Sequence, residues 1–202
     1  MEKKLFLFRA NPDGINRKKE FLKDNFIAIG WNKLGELTNK NKNDIRKSLE
    51  EIGYPSSNTS VGQINHFVNT MEIGSLCLIP DEGQVFLAEI TSDYTYNAES
   101  EIFKHTRSVK FLNSDKPFNR TDFPEDLNKA IKPQMTIANM THRLKYLEDF
   151  LNVNKVEENQ LEAFSDEIDE LLPMALENIR EALENGDLDV SMQLVQMLKN
   201  KK

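Results

Sequence analysis

In the first 120 positions, hydrophobic residues occur mainly in short runs separated by polar turns, which predicts strands with inserted helices. The apolar run FIAIGW predicts a buried strand, because it carries no polar residue to face solvent. Asp81-Glu82-Gly83 is typical of a hairpin turn between two such segments. The predicted strands are Lys3–Asn11, Phe26–Trp31, Ser75–Pro80, Gln84–Tyr96 and Phe103–Leu112.

Three segments between these strands have helical periodicity instead. Asn16–Asn25 is a short basic candidate, and Asn41–Ile52 carries apolar residues at spacings of four and three. Val61–Met71 follows Ser60, a suitable N-cap. Short strands mixed with a few helices predict an α+β domain around a small curved sheet or barrel.

From Thr121 onward the pattern becomes helical and predicts an all-helical C-terminal extension. Pro173 is expected to break the long helix that contains it, because proline lacks the N–H and clashes with the preceding turn. Asn185-Gly186-Asp187 predicts a turn, so the last two helices would form an acidic hairpin. The predicted helices are Thr121–Ile131, Met135–Asn152, Glu157–Asn185 and Leu188–Lys199. The predicted domains are residues 1–115, connecting helices in 116–155, and the hairpin 156–202.

Charge is distributed unevenly along the chain, and this changes what the net charge of −7 means. Residues 1–50 carry about +5 and residues 51–100 about −7, whereas residues 101–150 carry about +2. Residues 151–202 carry −7 by themselves. The acidic excess therefore belongs to the C-terminal extension, and contact between the first domain and phosphate is compatible with the composition.

The chain has no apolar run of the length that a membrane span requires, and its N-terminal apolar run is shorter than a secretory signal needs. The single cysteine, Cys77, has no partner for an internal disulfide and lies in an apolar run, which predicts a buried structural thiol. We therefore expect a cytoplasmic protein with no membrane partner.

Motifs for catalysis are missing from the sequence. Pro80-Asp81 followed by Glu89 resembles part of a metal-dependent nuclease motif, but Thr91 occupies the position of the required lysine. His66, His105 and His142 lack a metal-ligand spacing, and there is no Walker A, GxSxG or GxGxxG segment. We therefore expect a non-enzymatic protein that needs no cofactor or metal.

Three aromatic residues at strand ends are the best candidates for a binding site. Tyr94 and Tyr96 alternate along a strand, so their rings can face one side, and Trp31 ends an earlier strand. Such rings, with basic residues nearby, suit a pocket for a flat base, although an ordinary barrel core would also contain them.

Several short motifs occur in an order that resembles the EVE/YTH-like branch of the PUA superfamily, found at the N-termini of McrB-type and Mrr-type restriction proteins. The resemblance covers roughly residues 3–115. It departs from the family pattern at Gly74-Ser75, at Ala88-Glu89-Ile90 and at Phe111. The motifs are Phe8-Arg9-Ala10, Ile29-Gly30-Trp31, the Phe67…Gly74 step, Ala88-Glu89-Ile90 with Tyr94-Thr95-Tyr96, and His105–Phe111.

This resemblance implies a PUA-like barrel that takes a modified base out of the stack and holds it between aromatic rings. By implication Trp31, Tyr94, Tyr96 and Arg9 would contact the base, and the ligand would be DNA rather than RNA, in bacterial defence or restriction. The phosphate contacts would be Arg107, Lys104, Lys110 and His105. Residues 156–202 lie outside the resemblance. We expect this acidic hairpin to recruit a second copy or an effector protein, because a chain with no catalytic motif needs a second component to act.

Two other functions remain open at this point. The barrel could be a scaffold in an adaptor or assembly protein whose C-terminal helices mediate association. It could also be a sensor domain for a free nucleotide.

Overall fold

The computed structural model describes residues 3–132 and 135–184, together with Met192. It is a mixed α+β structure with an open, curled sheet and several helices. The strands are β1 (Leu5–Phe8), β2 (Phe26–Ile29), β3 (Leu76–Asp81), β4 (Gln84–Ile90), β5 (Thr95–Tyr96), β6 (His105–Phe111), β7 (Phe118–Asn119) and β8 (Ile137–Asn139). The helices are α1 (Lys18–Asp24), α2 (Lys42–Glu51), α3 (Asn58–Asn65), α4 (Glu125–Ala130) and α5 (Leu144–Glu184). Short 3₁₀ turns lie at Pro12–Gly14, Arg120–Asp122 and Thr141–Arg143, and a π-helical turn follows α3 at His66–Thr70.

In the described part of the chain the strands form one sheet, in the order β2-β6-β4-β3-β1-β8. β5 pairs with β6, and β7 pairs with β4. The β1–β3 pair is parallel, with Phe6 opposite Cys77, whereas the other pairs are antiparallel. The expected hairpin between β3 and β4 is confirmed, with Asp81 opposite Gln84.

Strand β1 lies at the centre of the packing. Its four residues, LFLF, are all fully buried. Phe6 and Phe8 belong to the main core together with apolar residues of α2, α3 and the π-helical turn. Leu5 and Leu7 alternate to the opposite face and are equally buried, so both faces of this strand are covered. Cys77 is buried as predicted, and burial raises the pKa of its thiol to about 12.

Residues 116–155 were expected to contain only connecting helices, and this is wrong because two strands of the sheet lie there. The helix expected over Met135–Asn152 is wrong at its start, because Ile137–Asn139 is a strand that pairs with β1. β7 also lies beyond residue 115 and adds to β4. The first compact unit accordingly ends at Phe150, and the second begins at Leu151.

Helix α5 continues through Pro173, so the expected break at this proline is wrong. Proline costs one backbone hydrogen bond, and the helix tolerates that loss within a run of 41 residues. The predicted turn at 185–187 lies outside the described residues, as does the predicted helix 188–199 apart from Met192.

Candidate functional site

Trp31 stands in a backbone conformation that bulky residues avoid. β2 ends at Ile29, and Trp31 has a φ of 63°, in the left-handed region. This conformation costs an L-residue roughly 1–2 kcal/mol. Gly30 allows the turn, because a Cβ there would overlap the Asp13 carboxylate and come within 3.0 Å of the Asp13 nitrogen. The Asn32 amide then donates to Asp13 at 2.9 Å and holds the two loops together.

Trp31 is half-buried, and its indole packs against the core. Its Nε1 is buried and has no hydrogen-bond partner among the described residues. The ring meets Tyr54 edge-on, with 6.4 Å between centroids, and Tyr54 is 47% exposed. We call Trp31 and Tyr54 the rim pair. A strained backbone and an unpartnered donor occur together at this pair.

The two predicted tyrosines converge on His105 instead of on Trp31. The Tyr94 hydroxyl lies 2.7 Å from Nδ1 of His105, and the two rings stack 6.0 Å apart. Tyr96 approaches the same imidazole at 5.3 Å. Among the described ring contacts, Trp31 meets neither tyrosine. The three predicted cage residues therefore do not form one set of facing rings.

His105 is fully buried, and this keeps its imidazole neutral. Burial lowers the pKa of His105 to about 4, although the nearby backbone of Trp31 and Leu34 opposes the shift. Burial likewise raises the pKa of the Tyr94 hydroxyl. His105 thus has a packing role in this structure and offers no surface to a phosphate.

Arg107 is also inside the protein, where backbone carbonyls occupy its donors. Nε donates to Phe67 at 2.7 Å, Nη1 to Ser92 at 2.9 Å, and Nη2 to Val68 at 3.0 Å. Only 3% of the residue is exposed. Arg107 therefore ties β6 to the π-helical turn and is not placed to meet a phosphate. We call Tyr94, Tyr96, His105 and Arg107 the interior array.

The remaining predicted contacts lie apart from one another. Nη2 of Arg9 donates to the carbonyls of Ile131 and Lys132, at 3.5 and 3.3 Å, which links the end of β1 to the end of α4. Lys104 is half-buried, and its backbone N–H donates to Asn32. Lys110 is exposed on β6 opposite Glu89. Lys104 and Lys110 are thus the predicted phosphate contacts that keep solvent access.

A cleft of about 500 Å³ lies at the start of α2, and sequence reasoning did not find it. We call it the polar cleft. It combines one short loop with the end of α3 and the π-helical turn, and π-helical turns are frequent at functional sites. Its lining consists of Asn39, Lys40, Asn41, Lys42, Asn43, Asn65 and Asn69.

Tyr54 was missed as well, although the sequence carried a signal for it. It is the only aromatic residue of the polar loop Gly53–Ser60, and an aromatic side chain in such a loop has little core to enter. The asparagine-rich segment NKNKN at 39–43 was a comparable signal for the cleft. Within the residues described, no group of three His, Cys, Asp or Glu side chains is close enough to hold a metal ion.

These features define a class: an α+β domain on an open curled sheet, with aromatic and amide side chains at its surface. The chain belongs to a family described as a domain of unknown function, DUF8426, whose model matches residues 9–141, more than half of the chain. No curated protein matches it. In the described parts of the chain, no helix is long and apolar enough to cross a membrane.

Proposed function

We propose that this protein is a non-enzymatic nucleic-acid reader that contacts a modified or flipped base, on a PUA-like fold of the EVE/YTH type. The observation that carries the proposal is Trp31, whose backbone is strained and whose buried Nε1 has no partner within the described residues. A protein retains such strain where the surrounding structure imposes it, and these places are often binding sites.

A nucleobase would supply what the rim pair lacks. Its face can stack on an exposed ring such as Tyr54. Its edge carries carbonyl and ring-nitrogen acceptors suited to the Trp31 N–H, which is buried and becomes reachable when the loop that carries Trp31 opens. Stacking on an aromatic side chain is worth about 1–3 kcal/mol per base. A methyl group on the base would add roughly 0.8 kcal/mol if it were buried.

The roles of the other residues follow from their surroundings. Tyr94 supports the loop after Trp31 from inside, since the Leu37 N–H donates to its hydroxyl at 3.4 Å. Tyr96 packs against His105. Lys104, directly before β6, and Lys110, on β6, are the candidate phosphate contacts. We assign Arg9 a supporting role at the sheet edge, because it reaches the carbonyls of Ile131 and Lys132.

We further propose that the reader binds DNA rather than RNA and acts in the cytoplasm, in bacterial defence or restriction. It would need a second component to act on what it has recognised, because we expect no catalytic activity. Residues 156–202 are the proposed contact with a second copy or an effector protein.

A binding titration with methylated and unmethylated oligonucleotides, at two salt concentrations, tests the reader. We expect the wild-type protein to prefer the modified strand, Trp31→Ala to abolish the preference, and Tyr54→Ala to weaken binding about tenfold or more. Tyr146→Ala is the matched control, because Tyr146 has the same 47% exposure but lies on α5.

Equal affinity for both strands would overturn the reader, as would a preference that survives Trp31→Ala. Circular dichroism and thermal melting of each variant separate a loss of contact from a loss of fold. Comparing Trp31→Phe with Trp31→Ala separates the ring from the N–H, since phenylalanine keeps an aromatic ring but has no N–H. We expect Trp31→Phe to retain stacking and lose part of the preference.

An adaptor or assembly protein is the second candidate, and the surface of α5 favours it. Several apolar residues of this helix are more than half exposed, and association with a partner would cover them. They include Val153, Val156, Leu161, Met174 and Leu176. Sedimentation analysis distinguishes the two candidates. The adaptor predicts self-association that is lost on truncation near residue 155, and nucleic-acid binding that ignores modification.

A further inference from the structure

The polar cleft has an unusual lining, with five asparagines and two lysines and no carboxylate among them. Asparagine amides both donate and accept hydrogen bonds, whereas lysine supplies positive charge. The region is therefore suited to a ligand that combines negative charge with neutral oxygen atoms. A hydrophobic ligand would meet no hydrophobic residue among those that line the cleft.

Part of this lining is already committed to the fold. The Asn41 side chain accepts hydrogen bonds from the backbone N–H groups of Asn43 and Asp44 and so caps α2. The N-terminus of this helix is therefore already satisfied and is not proposed as the binding group. Lys40 donates to Ser48 at 2.9 Å. Asn69 donates to the Lys40 carbonyl and to Asn65, which fixes the π-helical turn against the loop.

Three other side chains of the lining have no such commitment. Asn39, Lys42 and Asn43 make no side-chain hydrogen bond or ion pair within the described residues. Close by, His66 has a buried Nδ1 without a partner in the described structure. Burial and then the charge of Lys42 lower the pKa of His66, so the imidazole does not add positive charge to the region.

The cleft is connected to the rim pair through a short, well-fixed segment. The loop that begins at Trp31 reaches the cleft at Asn39, which is itself in the left-handed region with a φ of 61°. Between them, Leu37 is fully buried and its N–H lies near Tyr94. The π-helical turn that holds Asn69 also carries Phe67, which meets the Tyr94 ring. A ligand at the rim pair could therefore extend along this loop.

We propose that the polar cleft binds the sugar–phosphate backbone of the strand whose base meets the rim pair. Lys42 contacts a phosphate, and the amides of Asn39 and Asn43 contact phosphate or sugar oxygens. The inference rests on the proposed function. It places the phosphate contacts on an accessible surface, whereas the sequence had suggested Arg107 and His105, which are buried.

Salt dependence of oligonucleotide binding tests the cleft. The affinity falls as salt rises, and each lost phosphate contact makes the negative slope of log K against log salt shallower by about 0.7 for a single strand. We expect Lys42→Gln to make the slope shallower by this amount. Its affinity loss should be about threefold larger at 50 mM than at 200 mM salt. Lys47→Gln is the matched control, since Lys47 is exposed on the same helix and does not line the cleft.

An abasic strand separates this inference from the reader itself, because it offers sugar and phosphate without a base. We expect it to shift the side-chain amide signals of Asn39 and Asn43 in an NMR titration, and to do so equally in Trp31→Ala. An unchanged salt slope in Lys42→Gln overturns the cleft, even if the modification preference survives. A Lys42-dependent slope without any preference supports the cleft and overturns the reader. Failure of the wild type to bind any strand overturns both.

Discussion

The rim pair and the interior array contain similar aromatic residues, but their surroundings differ. In the array, the Tyr94 hydroxyl meets the His105 imidazole, and Arg107 places its donors on backbone carbonyls. At the rim pair, Trp31 retains a buried N–H without a partner in the described chain, and Tyr54 is 47% exposed. Each group keeps one buried nitrogen without a partner among the described residues, Nε1 of Trp31 and Nε2 of His105. The rim pair differs in its backbone strain and in its exposed ring.

This difference shows how a binding surface can be told from a core that happens to be aromatic. Residue type gave Trp31, Tyr94 and Tyr96 equal standing, because each is a large ring at a strand end. Backbone strain separates Trp31 from the two tyrosines, because folding alone does not reward it. We therefore expect substitutions in the array to reduce stability most, and substitutions near the rim pair to change recognition as well.

The largest effect is expected from Arg107→Met. Removing the guanidinium leaves the carbonyls of Phe67, Val68 and Ser92 without their donor in a buried region. Each buried acceptor that loses its partner costs about 1–3 kcal/mol, so the free energy of unfolding should fall by about 3 kcal/mol or more. Urea denaturation measures it, with Lys110→Met on the exposed side of β6 as the control. A loss below about 1 kcal/mol would mean that Arg107 does not hold the π-helical turn.

A somewhat smaller effect is expected from pH. The pKa of His105 is about 4 in the folded protein and near 6.5 when unfolded, so the unfolded chain binds more protons between these values. The stability from neutral His105 is therefore fully present above about pH 6.5 and is lost progressively towards pH 4. The total loss is on the order of 3 kcal/mol.

Urea denaturation at several pH values measures this loss, and His105→Gln should flatten the profile. His66 contributes in the same direction, because burial also lowers its pKa, so some slope should remain. His142→Gln, at an exposed position, is the control. A profile unchanged by His105→Gln would contradict the buried neutral imidazole.

The smallest effect on stability is expected from Gly30→Ala, which acts on the rim pair. The new methyl group would overlap the Asp13 carboxylate, and overpacking of this kind costs about 1–3 kcal/mol. The same shift should displace Trp31 and reduce base preference. Gly35→Ala is the matched control, because a Cβ there meets nothing within 4 Å. Equal effects of the two substitutions would show that the Gly30 contact does not position Trp31.

Local patterns predicted much of the sheet, because several strands are marked by their own sequence. The β3–β4 hairpin was predictable from Asp81-Glu82-Gly83, and β2 from its unbroken apolar run. β8 was not, because Ile137–Asn139 has only three residues and becomes a strand by pairing with distant β1. Pairing over such a separation leaves little trace in the local pattern.

The candidate site was predictable only in part. Trp31 was identified by type, but one sequence displays neither its left-handed φ nor the close approach of Asp13 to Gly30 beside it. The burial of His105 and Arg107 could have been anticipated. Alternation along β6 places both on the face of Val109, which points into the core. Their basic character suggested phosphate contacts, and strand periodicity was the better guide.

The late strand β8 determines how short a self-sufficient version of this domain can be. β1 carries four fully buried residues, and β8 occupies the edge that β3 leaves open. A fragment that stopped at residue 115 would expose this edge, with its unpaired amides and carbonyls beside apolar side chains, to any neighbouring chain. The sheet is therefore complete only when residues 137–139 are present, and a nascent chain that ends before them would carry an edge prone to aggregation.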